Sequence, residues 1–195
     1  MKPFVQAPSA WEEWHIPFSK DQITMREARA SLEALGAKQN EIPLMVQLIE
    51  NPRYDLPGLD IFHGKVDLKR HDAIHILLGR GLLNKDEAFV IGFTMGSTHK
   101  VTAWEENLYA LVSRRFYPKG FQFDAEDIRI FKDATKLGHI SDCQPLDQVD
   151  FDACLDMNLR DLRAKLSLES DLILAYYRIE QRRYPGAKAS GRLLK

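Results

Sequence analysis

Residues 67–97, DLKRHDAIHILLGRGLLNKDEAFVIGFTMGS, decide the fold. Asp67 carries the short acceptor side chain that suits a helix start, and helix-forming residues follow it as far as Leu78. Gly79-Arg80-Gly81 then stops the helix. Asn84 is the expected cap of a second helix, KDEAFVIGFTM, whose apolar residues run round every side, the mark of a helix buried in a core. With so short a break between them, the two helices are expected to fold back on each other as a hairpin.

Outward from the hairpin the same signals repeat. Residues 1–20 are aromatic and punctuated by proline (Trp11, Trp14, Pro17, Phe18) and read as a packed N-terminal arm. ITMREARASLEAL predicts a helix over Ile23–Leu35, stopped by Gly36. A further helix is expected over residues 41–50, ending at Asn51-Pro52, before the turn-rich loop PRYDLPGLDIFHG. Thr102–Tyr117 reads as a helix stopped by Pro118 and Gly120, and Asp124 caps AEDIRIFKDATKLG. After a loop around 142–145, two closing helices are expected at 151–166 and 167–183. The last fifteen residues, QRRYPGAKASGRLLK, carry five basic and no acidic side chains, so residues 184–195 read as a flexible basic tail. No stretch alternates with period two and no repeat is present. The expectation is a single all-α domain, a compact bundle of seven to eight helices.

Composition narrows the function. The 195 residues are 45% hydrophobic and 28% charged with a net charge of −1, which gives no electrostatic footprint for nucleic acid. Two cysteines, Cys143 and Cys154, lie far from any second Cys or His at zinc-finger spacing, so neither a disulfide framework nor a cysteine zinc site is expected. The first residues hold no apolar signal segment. The longest apolar stretch, Ala88–Met95, is far short of the roughly 20 residues of a spanning helix. The expected setting is cytoplasmic, with at most peripheral contact with the inner face of a membrane, and a homodimer is among the assemblies considered.

The chemistry sits in the same hairpin. Four of the six histidines fall between residues 63 and 99, and His71 and His75 are four apart. On a helix they lie about 40° and one turn from each other, with Asp72 about 100° from His71, so all three point to one side. Two imidazoles at this spacing can converge on a transition ion about 2 Å from each, and adjacent carboxylate oxygen suits zinc, iron or manganese. In a hairpin, His75 stands roughly 6 Å below the bend and Glu87 roughly 4.5 Å below it on the returning helix, so Glu87 can supply a fourth ligand. A competing role is specific: Asn84 and Glu87 have the spacing of a capping pair, which would occupy the carboxylate. Sequence leaves both roles open.

The string H-D-x-x-H, eleven residues, then E is filled without a gap by His71, Asp72, His75 and Glu87. It resembles the signature of the Coq-four family of ubiquinone (coenzyme Q) biosynthesis proteins. HDAIHILLG, the Gly-rich apolar helix after it and the later LRDLRAKLSL also look like that family, over roughly Leu56–Leu137 and then the closing stretch. The resemblance implies an all-α fold, a divalent metal at those four positions and a hydrophobic cavity for a polyprenyl tail. It also implies action on a prenylated quinone precursor, in loss of a ring carboxylate coupled to hydroxylation, and contacts with other biosynthetic proteins. The chain departs from the pattern in lacking a mitochondrial transit segment and in carrying an extra helix and basic tail after Leu168.

Zinc or iron head the expected cofactors, followed by manganese and magnesium. His63 and His99 are candidates for orienting a ligand or substrate. Gly92 and Gly96, four apart, would let isoprene units or another helix approach closely. Glu105, Glu106, Arg114 and Arg115 fit favourable places near helix ends without any site. Three functions follow: a metal-dependent enzyme acting on a quinone precursor, a non-catalytic lipid-binding or assembly module with a structural metal, and a metal-dependent phosphohydrolase. The third needs His63 upstream and Asp124 or Asp127 downstream at one site.

Overall fold

The Gly-spaced helix expected to be buried is the one the others pack around. A computed structural model describes residues 10–35, 63–64, 66–115 and 122–195. Its helices in chain order are α1 (Ala10–Glu13), α2 (Met25–Glu33), α3 (Leu68–Leu78), α4 (Asn84–Ser97), α5 (Ala103–Arg115), α6 (Ala125–Ile140), α7 (Leu159–Lys165), α8 (Ser170–Arg183) and α9 (Lys188–Gly191). Short 3-10 turns lie at Leu146–Gln148 and Asp152–Cys154. Among the described residues there is no β-strand, only an isolated bridge between Thr24 and Asn158. The fold is all-α, as expected. The helix expected over 41–50 and most of the loop after it lie outside the described residues.

Local chemistry explains where the helices begin and end. Thr24 and Glu27 form a reciprocal capping box on α2: the Glu27 amide donates to Thr24 Oγ1 at 3.1 Å, and the Thr24 amide donates to Glu27 Oε2 at 2.8 Å. Asp67 caps α3 by accepting from the Arg70 amide at 2.9 Å. Gly79 ends α3 in the left-handed region at φ 65°, where a side chain is disfavoured. Arg163 donates to Leu77 O at 2.8 Å, and the Tyr177 hydroxyl donates to Leu78 O. These bonds occupy carbonyls that the helix end leaves without an internal partner.

From Asp86 through Ser97 every side chain of α4 is buried. Its glycines set the approach of α6. A Cβ on Gly92 would collide with the Phe131 carbonyl, one on Gly96 with the Thr135 carbonyl, and one on Gly138 of α6 with the Phe93 carbonyl. The two backbones therefore touch where side chains would hold them apart. The face that Gly92 and Gly96 open is filled by α6, so of the two uses considered for these glycines the structure shows helix packing.

Three expectations at element boundaries change. Helix α4 begins one residue earlier than a cap at Asn84 requires: Leu83 is the cap residue, and the Asp86 carboxylate accepts from its amide at 3.2 Å. The helix expected over 151–166 is a 3-10 turn followed by α7, because Asn158 caps a new start by accepting from the Asp161 amide at 2.8 Å. The closing helix starts at Ser170, after Ser167 turns to φ 55°.

The basic tail is also corrected. Residues 184–195 include α9 and pack onto the molecule, with Tyr184, Ala189, Ser190 and Leu193 buried. Composition predicts a solvated end because it counts charges without asking which buried acids need them. Arg192 meets buried Asp86 at 2.5 Å, and Ser190 donates to buried Glu180 at 2.9 Å. Glu180 in turn takes both terminal nitrogens of Arg80, at 3.0 and 2.6 Å. The Arg80 guanidinium is fully buried over the Phe89 and Tyr177 rings. No helix among the described residues is long and apolar enough to cross a membrane.

Candidate metal centre

Helix α3 holds His71 and His75 one turn apart, with ring centroids separated by 4.6 Å. Glu87 reaches them from the first turns of α4. Its Oε1 lies 3.3 Å from His75 Nε2 and its Oε2 lies 3.4 Å from His71 Nε2. All three residues are buried, His75 completely. Neither approach is aligned as a hydrogen bond, and both Nε2 atoms and Glu87 Oε2 are buried without a hydrogen-bond partner. Buried polar atoms rarely stay unpaired, because desolvation is uncompensated. One ligand atom from each residue falls within 4.8 Å of the others, the one such group among the described residues. An ion with bonds of about 2 Å spans about 3.3 Å between neighbouring tetrahedral ligands, close to both separations. The residues fit a divalent transition ion.

Why Glu87 is available follows from the shifted start of α4. Asp86, not Glu87, occupies the third helical position and serves the cap. The two roles that sequence left open are thus divided between neighbouring carboxylates. His75 is also held from behind. Its Nδ1 lies 2.7 Å from the Gly81 carbonyl, which can only accept, so Nδ1 carries the proton and Nε2 faces Glu87 when the ring is neutral. A ligating histidine steadied through its second nitrogen is the usual arrangement in metal sites. Gly81 escaped the sequence reading because Gly79-Arg80-Gly81 signals only a helix stop. The hydrogen bond comes from the path of the turn.

Electrostatics suit the same role. Burial pushes His71 down to about 4, leaving a neutral imidazole at neutral pH. Burial, the largest single influence, pushes His75 the same way, but Glu87 together with Asp72 and Asp86 outweighs it and holds His75 above its ordinary value. Burial alone would raise Glu87; the two imidazoles outweigh that and keep its carboxyl below the ordinary range.

Asp72 is not among the gathered ligand atoms. One residue along from His71, it is half-buried beside the group, and burial lifts its carboxyl to about 6. Its charge is felt by His75 and Glu87 on one side and by Arg29 and Glu33 of α2 on the other. The other candidates do not join. His63 is exposed with Nδ1 2.6 Å from Glu105 Oε1, and Glu105 also accepts from the Thr102 amide at the start of α5. His99, exposed at φ 56°, has Nδ1 3.1 Å from the His139 carbonyl. It lies beyond the end of α4, about 18 Å along the helix from Glu87. Arg114 and Arg115 are exposed in the last turn of α5.

Asp124 caps α6 and Asp127 pairs with Lys85 at 3.2 Å. Neither belongs to the group gathered among the described residues.

No protein-family model, curated protein or solved structure matches this chain. Fold and group together define an all-α protein with a buried His-His-Glu cluster able to hold a metal ion.

Proposed function

We propose that this chain is a metalloprotein that holds one divalent ion through His71 Nε2, His75 Nε2 and a Glu87 oxygen, and that it acts on the ring of a prenylated quinone precursor. The observation that carries the reading is the convergence of buried imidazole and carboxylate atoms that have no hydrogen-bond partner. Two imidazoles and a carboxylate favour zinc or iron(II) over magnesium, which prefers oxygen ligands throughout. Such an ion, when bound, supplies Lewis acidity or a redox centre toward a substrate carboxylate.

The chain's own residues have distinct tasks in this reading. His71 offers a neutral lone pair, Glu87 supplies compensating charge, and the Gly81 carbonyl fixes the ring of His75. Asp72 is the adjacent carboxylate that completes the H-D-x-x-H, eleven, E string, and its similarity to the Coq-four signature supports the quinone-precursor half. A polyprenyl tail cannot use the Gly92/Gly96 face, which α6 fills.

Equilibrium titration of tag-free protein with zinc, iron(II) and cobalt, followed by native mass spectrometry with a prenylated aromatic carboxylate, tests both halves. One ion per chain, lost in Glu87→Gln, and retention of the prenylated acid are expected. Absence of ion binding overturns the first half. Ion binding without affinity for the prenylated acid overturns the second.

A further inference from the structure

The turn between α3 and α4 is gripped by both terminal parts of the described chain. On one side, a Cβ at Gly79 would stand 2.9 Å from Phe18 Cα, and one at Gly81 would stand 2.6 Å from the Trp14 carbonyl. On the other, the same Gly81 Cβ would collide with the guanidinium of Arg192. A side chain at Gly81 would thus meet both the guanidinium of Arg192 and the Trp14 backbone carbonyl, and the carbonyl is the one that cannot swing aside. Arg192 is itself held at two points, donating to the Glu12 carbonyl at 3.0 Å and to Asp86 Oδ2 at 2.5 Å. Asp86 in turn accepts from the Leu83 amide at 3.2 Å, which ties the far side of the same turn. The Gly81 carbonyl is the acceptor for His75 Nδ1.

From this geometry we infer that Arg192, over one hundred residues away in sequence, is a positioning residue for His75. Its guanidinium backs the Gly81 peptide and braces Asp86, and the peptide's carbonyl sets the ring orientation of the ligand. Arg192 touches neither ion nor substrate; it acts through Gly81 and Asp86. The closing segment therefore has a stated task, to keep the metal-bearing hairpin at one width. The inference rests on the metal reading for its consequence but not for its geometry.

The test uses the full chain in four forms: wild type, Arg192→Lys, Gly81→Ala and Lys188→Ala. Arg192→Lys keeps a positive charge on Asp86 and removes the planar group that lies against Gly81. Lys188→Ala, on the same segment as Arg192, removes a surface pair with Glu13 of α1, 2.5 Å long, and serves as the control. In metal-free protein, solvent exchange of the His75 Nδ1 proton is followed by NMR. In loaded protein, cobalt affinity and its visible spectrum are measured. Slow exchange is expected in wild type and Lys188→Ala, with faster exchange in Arg192→Lys and Gly81→Ala. The last two are also expected to bind cobalt about 10- to 100-fold more weakly, as for loss of a ligand's supporting partner, with an altered spectrum.

Wild-type exchange in Arg192→Lys and Gly81→Ala overturns the positioning role whatever the metal does. Faster exchange with no cobalt binding in any form, wild type included, supports the positioning role and overturns the metal reading alone. If Gly81→Ala does not fold, Arg192→Lys decides.

Discussion

Two buried ionic clusters lie within a few residues of each other along the hairpin, and they are built differently. In one, Arg80, Glu180, Asp86 and Arg192 answer one another: Arg80 and Glu180 meet through two hydrogen bonds, and Arg192 meets Asp86 at 2.5 Å. In the other, His71, His75 and Glu87 approach only to 3.3–3.4 Å, and their facing atoms make no hydrogen bond. Both clusters are withdrawn from water. The first joins opposite charges through short hydrogen bonds, the condition under which buried charge is tolerated, and leaves only Arg80 Nε, Asp86 Oδ1 and Arg192 Nε unpaired at its edges. The second has lone pairs turned toward a common point. The contrast separates charge placed to hold a fold from polar atoms placed to hold something else.

The largest effect expected belongs to the first cluster. Glu180→Ala leaves Arg80 buried without its hydrogen-bonded carboxylate, with Asp86 at 3.8 Å as the remaining ion-pair partner. A loss of about 3–5 kcal/mol is expected in denaturant unfolding. A loss under about 1 kcal/mol would break the contrast by showing that the cluster is not needed for stability.

The second cluster should behave in the opposite way. Metal-free His71→Leu is expected within about 1 kcal/mol of wild type, since the change removes a buried polar atom that has no partner. Added metal should stabilise wild type by about 2.7 kcal/mol at a hundred times Kd and leave His71→Leu unchanged. Thermal melts with and without zinc measure both. A metal-free His71→Leu as unstable as Glu180→Ala would make the two clusters alike.

A smaller effect tests whether α4 is fixed by its glycines. Gly96→Ala drives a methyl into the Thr135 carbonyl and should cost about 1–3 kcal/mol, with or without metal. Equal stability of Gly96→Ala and wild type in urea would show that α6 yields.

The smallest concerns pH. His15, beside the turn, is pushed down to about 4, chiefly by burial and then by Arg192. The unfolded chain, with the ordinary value of 6.5, binds more protons between these limits. The contribution of His15 to stability is therefore full above about 6.5 and falls as pH drops toward about 4, while the raised Asp72 and His75 act in the opposite sense. In His15→Gln the fall should be shallower, not absent, because His71 is depressed in the same sense. Superimposable pH profiles of unfolding midpoints would contradict the burial of His15.

Much of this was legible in the chain itself. Asp67, Gly79 and the all-round apolar run of α4 specify the hairpin through local capping and patterning alone. The four-residue spacing of His71 and His75 places two ligands on one face, and the short turn brings Glu87 level with them. What was not legible depends on contacts distant in sequence. Leu83 is a poor cap residue by type, and it starts α4 only because Asp86 supports its amide. That one-residue shift frees Glu87. The tail reads as solvated until Asp86 and Glu180 are known to be buried and in need of partners. Asp72 matches the string by position, yet it is not among the ligand atoms gathered with His71, His75 and Glu87.

X-ray absorption at the edge of zinc bound to stoichiometrically loaded protein tests the centre most directly. Two imidazole nitrogens and carboxylate oxygen at about 2 Å are expected, with one imidazole missing from any residual signal of His75→Ala. A spectrum free of imidazole, or one identical in wild type and His75→Ala, would contradict the centre assigned to His71, His75 and Glu87.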